Sequence, residues 1–293
     1  MTVHYRTLGL ILKKEDQKEA DRVFSVYTEN FGKLELLAKG ERKIESKLRG
    51  GLELFYLSEI EFIQGKTYKT LTDAILIDNF KNLRKNLRAL SVAHKISEVL
   101  DNLVKGQEPD EKIWQLILET FDKLNNLSEA LSHRASVGGE GRKENEVLFD
   151  HRASKGGEGG KENEILFDHR ASKGGEGGKE NEILFDRLSL LYYYFFWNFL
   201  SILGYKPELN LCAICKKNLT PERLYFNLEE GGIICGSCSK KIKNEEKIEP
   251  ETIKILRILL KRDWQTLLRL KIDPIYRKSL KKFSEDYYSY LPH

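Results

Sequence analysis

Cys212–Cys238 reads CAICKKNLTPERLYFNLEEGGIICGSC and holds all four cysteines of a 293-residue chain. They stand as C-x2-C, nineteen residues, then C-x2-C. Two residues between paired cysteines let both thiolates turn inward on one tight loop, and two such knuckles close a tetrahedral set suited to zinc. Cys212, Cys215, Cys235 and Cys238 are therefore the expected ligands of one zinc ion per chain. Four sulfur ligands leave no open position for water, so the metal is expected to be structural rather than catalytic. The competing reading is two disulfides, which suits a secreted chain. The N-terminus, Met-Thr-Val-His-Tyr-Arg, lacks a basic segment followed by an apolar one, so no secretory signal is expected and the chain reads as cytosolic.

The length suggests about two domains. A hydrophobic content of 40% is enough for real cores, and a net charge of +4 is only mildly basic. Leu188–Tyr205 (LSLLYYYFFWNFLSILGY) has eighteen residues without a charge, the lower limit for a membrane span. Asn198, two serines and four tyrosines interrupt it, Gly204 and Pro207 form a helix stop, and Arg187 and Lys206 flank it evenly. It reads as a buried core helix.

Residues 4–77 read as β. Leu8, Leu10 and Leu12 alternate on a first strand, and Phe24, Val26 and Thr28 on a second. Asn30-Phe31-Gly32 turns into Leu34, Leu36 and Ala38, and Leu52–Ile63 and Thr67–Ile77 follow around Gln64-Gly65. Five short strands match a small Greek-key barrel such as an OB-fold, although the pattern alone also permits an SH3-like barrel. From Phe80 the period becomes helical, with Phe80, Leu83, Leu87 and Leu90 on one stripe. Pro109-Asp110 starts a second helix. His94 falls on the first stripe and reads as a core histidine, since four thiolates already complete a zinc shell. Glu249-Pro250-Glu251 opens a helix whose Ile253, Leu256, Leu260, Trp264 and Leu267 share a face, and a last helix runs from Asp273-Pro274 to Tyr290.

Residues 133–186 are three units of eighteen residues: HRASVGGEGRKENEVLFD, then HRASKGGEGGKENEILFD twice. Calcium-binding Gly-rich β-helices need aspartates where these units place Lys161, Glu162, Lys179 and Glu180, and GGEGG should break a helix. The expectation is a disordered tandem insertion in a loop. The predicted class is α+β. An N-terminal OB-fold barrel (1–79) precedes an all-α C-terminal domain in two parts (80–132 and 187–293), which carries the four-cysteine zinc module at 212–238.

No GxxxxGK[ST], GxSxG or HExxH occurs, nor H-x-E with P-C-x-x-C. The stronger signal is GKLELLAKGERKIESKLR (32–49), where Lys33, Lys39, Arg42, Lys43, Lys47 and Arg49 face Glu35, Glu41 and Glu45. Such cations on an OB-fold would neutralise phosphates while Tyr27 or Phe31 stacked bases. Between Lys254 and Lys282, ten further Lys/Arg stand against Asp263 and Asp273 alone.

Three stretches together resemble the bacterial DNA repair protein RecO family: TENFGKLELLAKGERKIESKLRGGLELF (28–55), FLSILGYKPELNLCAIC (199–215) and YFNLEEGGIICGSC (225–238). The resemblance spans essentially the whole chain except 133–186. It implies an OB-fold, a helical domain with a zinc module, and a non-enzymatic recombination mediator. Such proteins bind single- and double-stranded DNA, anneal strands, and work with RecR to load RecA on DNA coated by single-strand-binding protein. By position, Lys39, Arg42, Lys43, Lys47 and Arg49 would lie on the DNA-binding barrel surface, and the protein would be cytoplasmic and nucleoid-associated. The rival readings are a zinc-containing nucleic-acid enzyme such as a nuclease, and a scaffold whose barrel binds protein. Deleting 151–186 should change thermal stability little, because loop closure costs only about 0.6 kcal/mol per doubling of length. A large fall in melting temperature would mark the repeats as integral.

Overall fold

The computed structural model describes residues 3–65, 68–137, 177–242 and 246–291. Five strands, β1 (His4–Gln17), β2 (Asp21–Thr28), β3 (Gly32–Ala38), β4 (Leu57–Ile63) and β5 (Lys69–Asp78), close a barrel in the order β1-β2-β3-β5-β4. Every pairing is antiparallel except β3 with β5, which meet in parallel at Leu36–Lys69 and Leu37–Thr70. That single parallel closure is the OB-fold arrangement rather than an SH3-like one. Ile11, Phe24, Val26, Leu34, Leu36, Ile60, Phe62 and Leu71 fill the interior. A 3-10 turn at Lys47–Gly51 lies between β3 and β4 and sends Leu48, with Leu52 beyond it, into the same cluster.

Two expectations for the barrel change. The fourth strand starts at Leu57 rather than Leu52, because Phe55 takes a left-handed conformation (φ +62°) and donates its N–H to the Ile11 carbonyl at 2.8 Å. The Leu8–Leu10–Leu12 alternation marks the outside of the barrel. Leu10 and Leu12, with Tyr27 and Phe55, belong to the core of the helical region, and Leu8 packs against it.

That region contains α1 (Lys81–Arg84), α2 (Leu87–Leu103), α3 (Glu111–Val137), α4 (Gly177–Ile202), α5 (Gly236–Ser239), α6 (Pro250–Leu260), α7 (Trp264–Arg269) and α8 (Pro274–Tyr290). It also holds a small sheet of β6 (Leu224–Asn227), β7 (Gly232–Cys235) and β8 (Glu246–Lys247), ordered β7-β6-β8. α4 is its axis, with every residue from Leu188 to Leu200 buried or half-buried. A helix apolar on all sides must be enclosed by protein or lipid. Here α2, α3 and α6 pack on it, and Trp197 stacks on Phe283 of α8. Asn198 is satisfied by donating to the Tyr194 carbonyl at 2.8 Å and the Leu259 carbonyl at 2.9 Å. No described helix is long and apolar enough to cross a membrane.

Side-chain caps set several helix starts. Asn86 accepts from the Arg88 and Ala89 N–H groups, so α2 begins at Leu87 and Phe80 stands outside it. Asp110 accepts from Lys112 and Ile113, and Asp273 from Ile275. The helix expected over Ile253–Leu267 is two, because Arg262 turns left-handed (φ +57°) and Asp263 caps α7 through Thr266. His94 is exposed, not in the core, with its ring edge-on to Phe55 at 4.8 Å. α3 runs to Val137 and α4 begins at Gly177, so helix enters both ends of the repeat region. Lys179–Asp186 is rich in good helix formers, and a helix tolerates glycines in its first turn better than in its interior. The expected disordered insertion otherwise falls on residues 138–176, outside the described residues.

Barrel and helices are joined by polar contacts as well as by the shared core. Ser97 of α2 donates to the Leu12 carbonyl at 2.6 Å. Lys33 of β3 reaches Asp101 of α2 at 2.7 Å, and Ser25 of β2 donates to the same carboxylate at 3.2 Å. Gly32 (φ +60°) lets the β2–β3 turn approach closely, since a Cβ there would stand 2.5 Å from the Glu108 carbonyl oxygen. Burial pushes the Asp101 carboxyl up, but the Lys33 and Ser25 hydrogen bonds and the Lys33 charge outweigh it, and its pKa falls below the ordinary value. A lowered folded pKa stabilises above the unfolded value, about 3.9, and that contribution is lost as pH falls through the folded value. Asp101→Asn should therefore cost on the order of 1 kcal/mol at pH 7. The deficit should shrink below about pH 4, as measured by denaturant unfolding at several pH values.

Candidate metal centre and nucleic-acid interface

The first knuckle leaves α4 through the turn at Gly204 and is threaded against the second by Glu208. Its backbone N–H donates to the Gly231 carbonyl at 2.9 Å, and its carbonyl accepts from Ile233 at 2.8 Å. Its carboxylate accepts from the Asn210 and Leu211 N–H groups. Gly232 is needed where the strands cross, because a Cβ there would lie 2.7 Å from the Glu208 carbonyl oxygen. The Glu208 role was not read from the sequence, and its one signal is the Pro207-Glu208 turn after Gly204.

Cys212 then closes its loop by donating to the Lys217 carbonyl and accepting from Lys216, both at 2.9 Å. Cys235 ends β7 opposite Leu224 of β6, and Cys238 lies within α5. The four sulfurs all fall within 4.8 Å of one another and could hold a metal ion. The Cys215 and Cys235 sulfurs are 3.9 Å apart, against about 2.0 Å in a disulfide, and all four cysteines are free thiols.

The electrostatics fit a cation. Burial raises the Cys212 thiol, but backbone N–H groups of Cys215, Cys235 and Ile214 outweigh it and bring it down to about 6. Burial and the neighbouring sulfurs of Cys235, Cys215 and Cys212 push Cys238 up to about 12. Four sulfurs this close cannot all become thiolates without a positive charge among them, which a divalent metal supplies.

The basic connection after β3 is pinned to the β1–β2 hairpin. Gly40 N–H donates to Asp21 at 2.8 Å, and Arg42 N–H to the Ala20 carbonyl at 3.1 Å. Glu41 turns inward, 2% exposed, and pairs with Arg22 at 3.2 Å. Lys39, Arg42, Lys43, Lys47 and Arg49 are exposed, with Glu45 as the exposed acid between them. Arg42 reaches Asp16 at 3.4 Å, and among the described residues the other four make no ion pair. Lys33 is not part of this surface, because it is bound to Asp101.

The two proposed stacking aromatics are not both available. Tyr27 is buried and stacked on Trp114, whereas Phe31 is half-buried and edge-on to Tyr5 and Phe62. Several of the C-terminal cations are also engaged. Arg257 donates to the Leu209 carbonyl, Arg262 pairs with Glu119, and Lys282 pairs with Glu246.

The chain matches the family model "Recombination protein O N terminal" over residues 1–80 and "Recombination protein O C terminal" over 182–291. It belongs to the RecO family of DNA repair proteins. Its relatives include the DNA repair protein RecO of Dehalococcoides mccartyi, 28% identical over 269 residues, which is 92% of this chain and 83% of the relative. That of Moorella thermoacetica is 24% identical over 92% of this chain and 80% of its own length. That of Caldanaerobacter subterraneus is 20% identical over 96% and 90%. The N-terminal model covers the barrel, and the C-terminal model begins within the last repeat unit and includes the cysteine module.

Cys212→Ser removes the most buried sulfur of the cluster. Elemental analysis should find about one metal ion per wild-type chain and far less in the variant, together with a lower melting temperature. Metal ligation contributes roughly 10 kcal/mol to the folding of small structural sites, so the module should loosen visibly. A wild-type chain purified without chelator and free of metal would overturn the assignment.

Proposed function

We propose that the chain is a DNA-binding recombination mediator whose barrel contacts phosphates through the connection after β3. Membership of the RecO family supports the general role, and one structural observation carries the site. The backbone of the connection is tied down, Leu48 and Leu52 point into the barrel, and Lys39, Arg42, Lys43, Lys47 and Arg49 stand in solvent. A held loop with outward cations suits backbone contacts, which position a strand without reading its sequence. In this reading the protein anneals single strands and acts with RecR on DNA coated by single-strand-binding protein, helping RecA to load. It works in the bacterial cytoplasm at the nucleoid, and no step requires turnover chemistry.

The metal is zinc in this reading. An all-thiolate tetrahedral set is the donor combination zinc takes in structural sites, and four protein sulfurs leave no vacancy for a substrate. Cys212, Cys215, Cys235 and Cys238 would hold it, joining β7 and α5 to the loop that follows α4. The ion would supply cross-linking and charge balance only.

Replacing Arg42, Lys43, Lys47 and Arg49 with alanine should weaken binding to all DNA sequences alike. Each lost phosphate contact should flatten the plot of log affinity against log salt by about 0.7 for a single strand, close to 3 for four. The fold should survive, because the inward Leu48 and Leu52 remain. A folded variant with wild-type affinity and slope in a single-strand titration would remove the connection as the DNA site.

A further inference from the structure

Each C-x2-C is followed at once or after one residue by a lysine pair, Lys216-Lys217 behind Cys215 and Lys240-Lys241 behind Cys238. All four lysines are exposed, as is Arg223. The pairs are far apart in sequence, yet the sulfurs beside them converge within 4.8 Å, so the fold gathers both pairs around one point. Their backbones are held. Lys216 sits at φ +58° with its N–H on the Cys212 carbonyl, and Lys241 donates to the Cys238 carbonyl at 3.0 Å. Among the described residues none of the five cations enters an ion pair, whereas many cations elsewhere do.

Charge on the module is segregated. Glu229 and Glu230 lie at the β6–β7 turn, beyond the Asn227–Gly232 pair, while the cysteines lie at the opposite end beside the Leu224–Cys235 pair. Segments 212–223 and 235–242 contain one carboxylate, Glu222, against five cations, and the Glu208 carboxylate lies near enough to Lys216 to feel its charge. Four thiolates on a divalent ion carry two net negative charges. Neutralising those and Glu222 accounts for three of the five cations and leaves an excess exposed. Ile214, 38% exposed between Cys212 and Cys215, adds an apolar contact at the tip.

We infer that the two lysine pairs and Arg223 form a phosphate-binding surface for a nucleic-acid strand, distinct from the barrel connection. The inference rests on the DNA-binding reading above and gives the cysteine module a second task besides holding metal. Exposed cations on a hydrogen-bonded backbone, without ion pairs among the described residues, suit a sugar–phosphate chain, in which charge contacts dominate and sequence is not read.

The test titrates a labelled single-stranded oligonucleotide against the full chain at two salt concentrations, with metal content measured on every sample. K216A/K217A/K240A/K241A should keep its metal and bind at least roughly tenfold more weakly at low salt, with a slope flattened by nearly 3. The corresponding four-arginine variant should restore both. An alanine variant that keeps its metal and binds like wild type, while the barrel variant loses binding, overturns the inference and leaves the DNA reading intact. A wild-type chain that binds no DNA overturns both. A tip variant that loses affinity for polyglutamate but not for DNA overturns the inference in favour of an acidic protein partner. If the alanine variant loses metal, K240Q/K241Q decides, since both residues lie beyond the second knuckle. A slope change of about 1.4 supports the surface, and no change overturns it.

Discussion

The enclosure of α4 is the constraint on which the rest depends. From Leu188 to Leu200 no residue is fully exposed and most are buried, so the elements around it are arranged to cover it. α2, α3 and α6 pack on it directly, and α8 supplies Phe283, Tyr287 and Tyr288 to its aromatic residues. Its polar atoms are answered individually. Trp197 donates to Ser284 at 3.2 Å, and Tyr194 donates to Glu119, which Lys123 and Arg262 also hold. A polar group left unpaired at that depth would cost roughly 1–3 kcal/mol, and the direct partners, Ser284 and Glu119, come from α8 and α3.

The same demand draws in parts that would otherwise be separate. The barrel has its own interior cluster, but β1 is apolar on both faces and its outer face enters the helical core. Phe55 and Tyr27 turn outward with it, and the Lys33–Asp101 pair and the Ser97 hydrogen bond fix the register of the joint. The faces of β1, β2 and β3 nearest α2 are therefore occupied, while Lys39, Lys43, Lys47 and Arg49 beyond β3 stay exposed and, among the described residues, without an ion pair.

The cysteine module is joined to this core through Leu224, Phe226 and Ile233, and Phe226 meets Phe283 edge-on at 4.4 Å. Its hairpin is short, and an isolated two-stranded hairpin is marginal in water. Aromatic packing compensates for that at one end, and at the other end lie the four sulfurs that could hold a metal ion. The arrangement leaves Lys216, Lys217, Lys240 and Lys241 exposed.

Spacing alone picked out the four cysteines whose sulfurs converge, because two residues between cysteines impose a knuckle wherever the chain places it. The five barrel strands and the buried character of α4 were likewise written in local period and composition. The exposed positions of Lys39, Arg42, Lys43, Lys47 and Arg49 followed from their place on a connection. Other features depended on which surfaces meet. The face that Leu8, Leu10 and Leu12 cover, the burial of Tyr27, the exposure of His94 and the pairing of Lys33 with Asp101 all involve residues distant in sequence. The break at Arg262 was hidden because the apolar spacing runs through it, while Asp263 and a left-handed residue stop the helix locally. Periodicity reports which residues avoid water, but not which partner removes them from it. That partner is chosen by long-range packing, and so only the tertiary structure decided it.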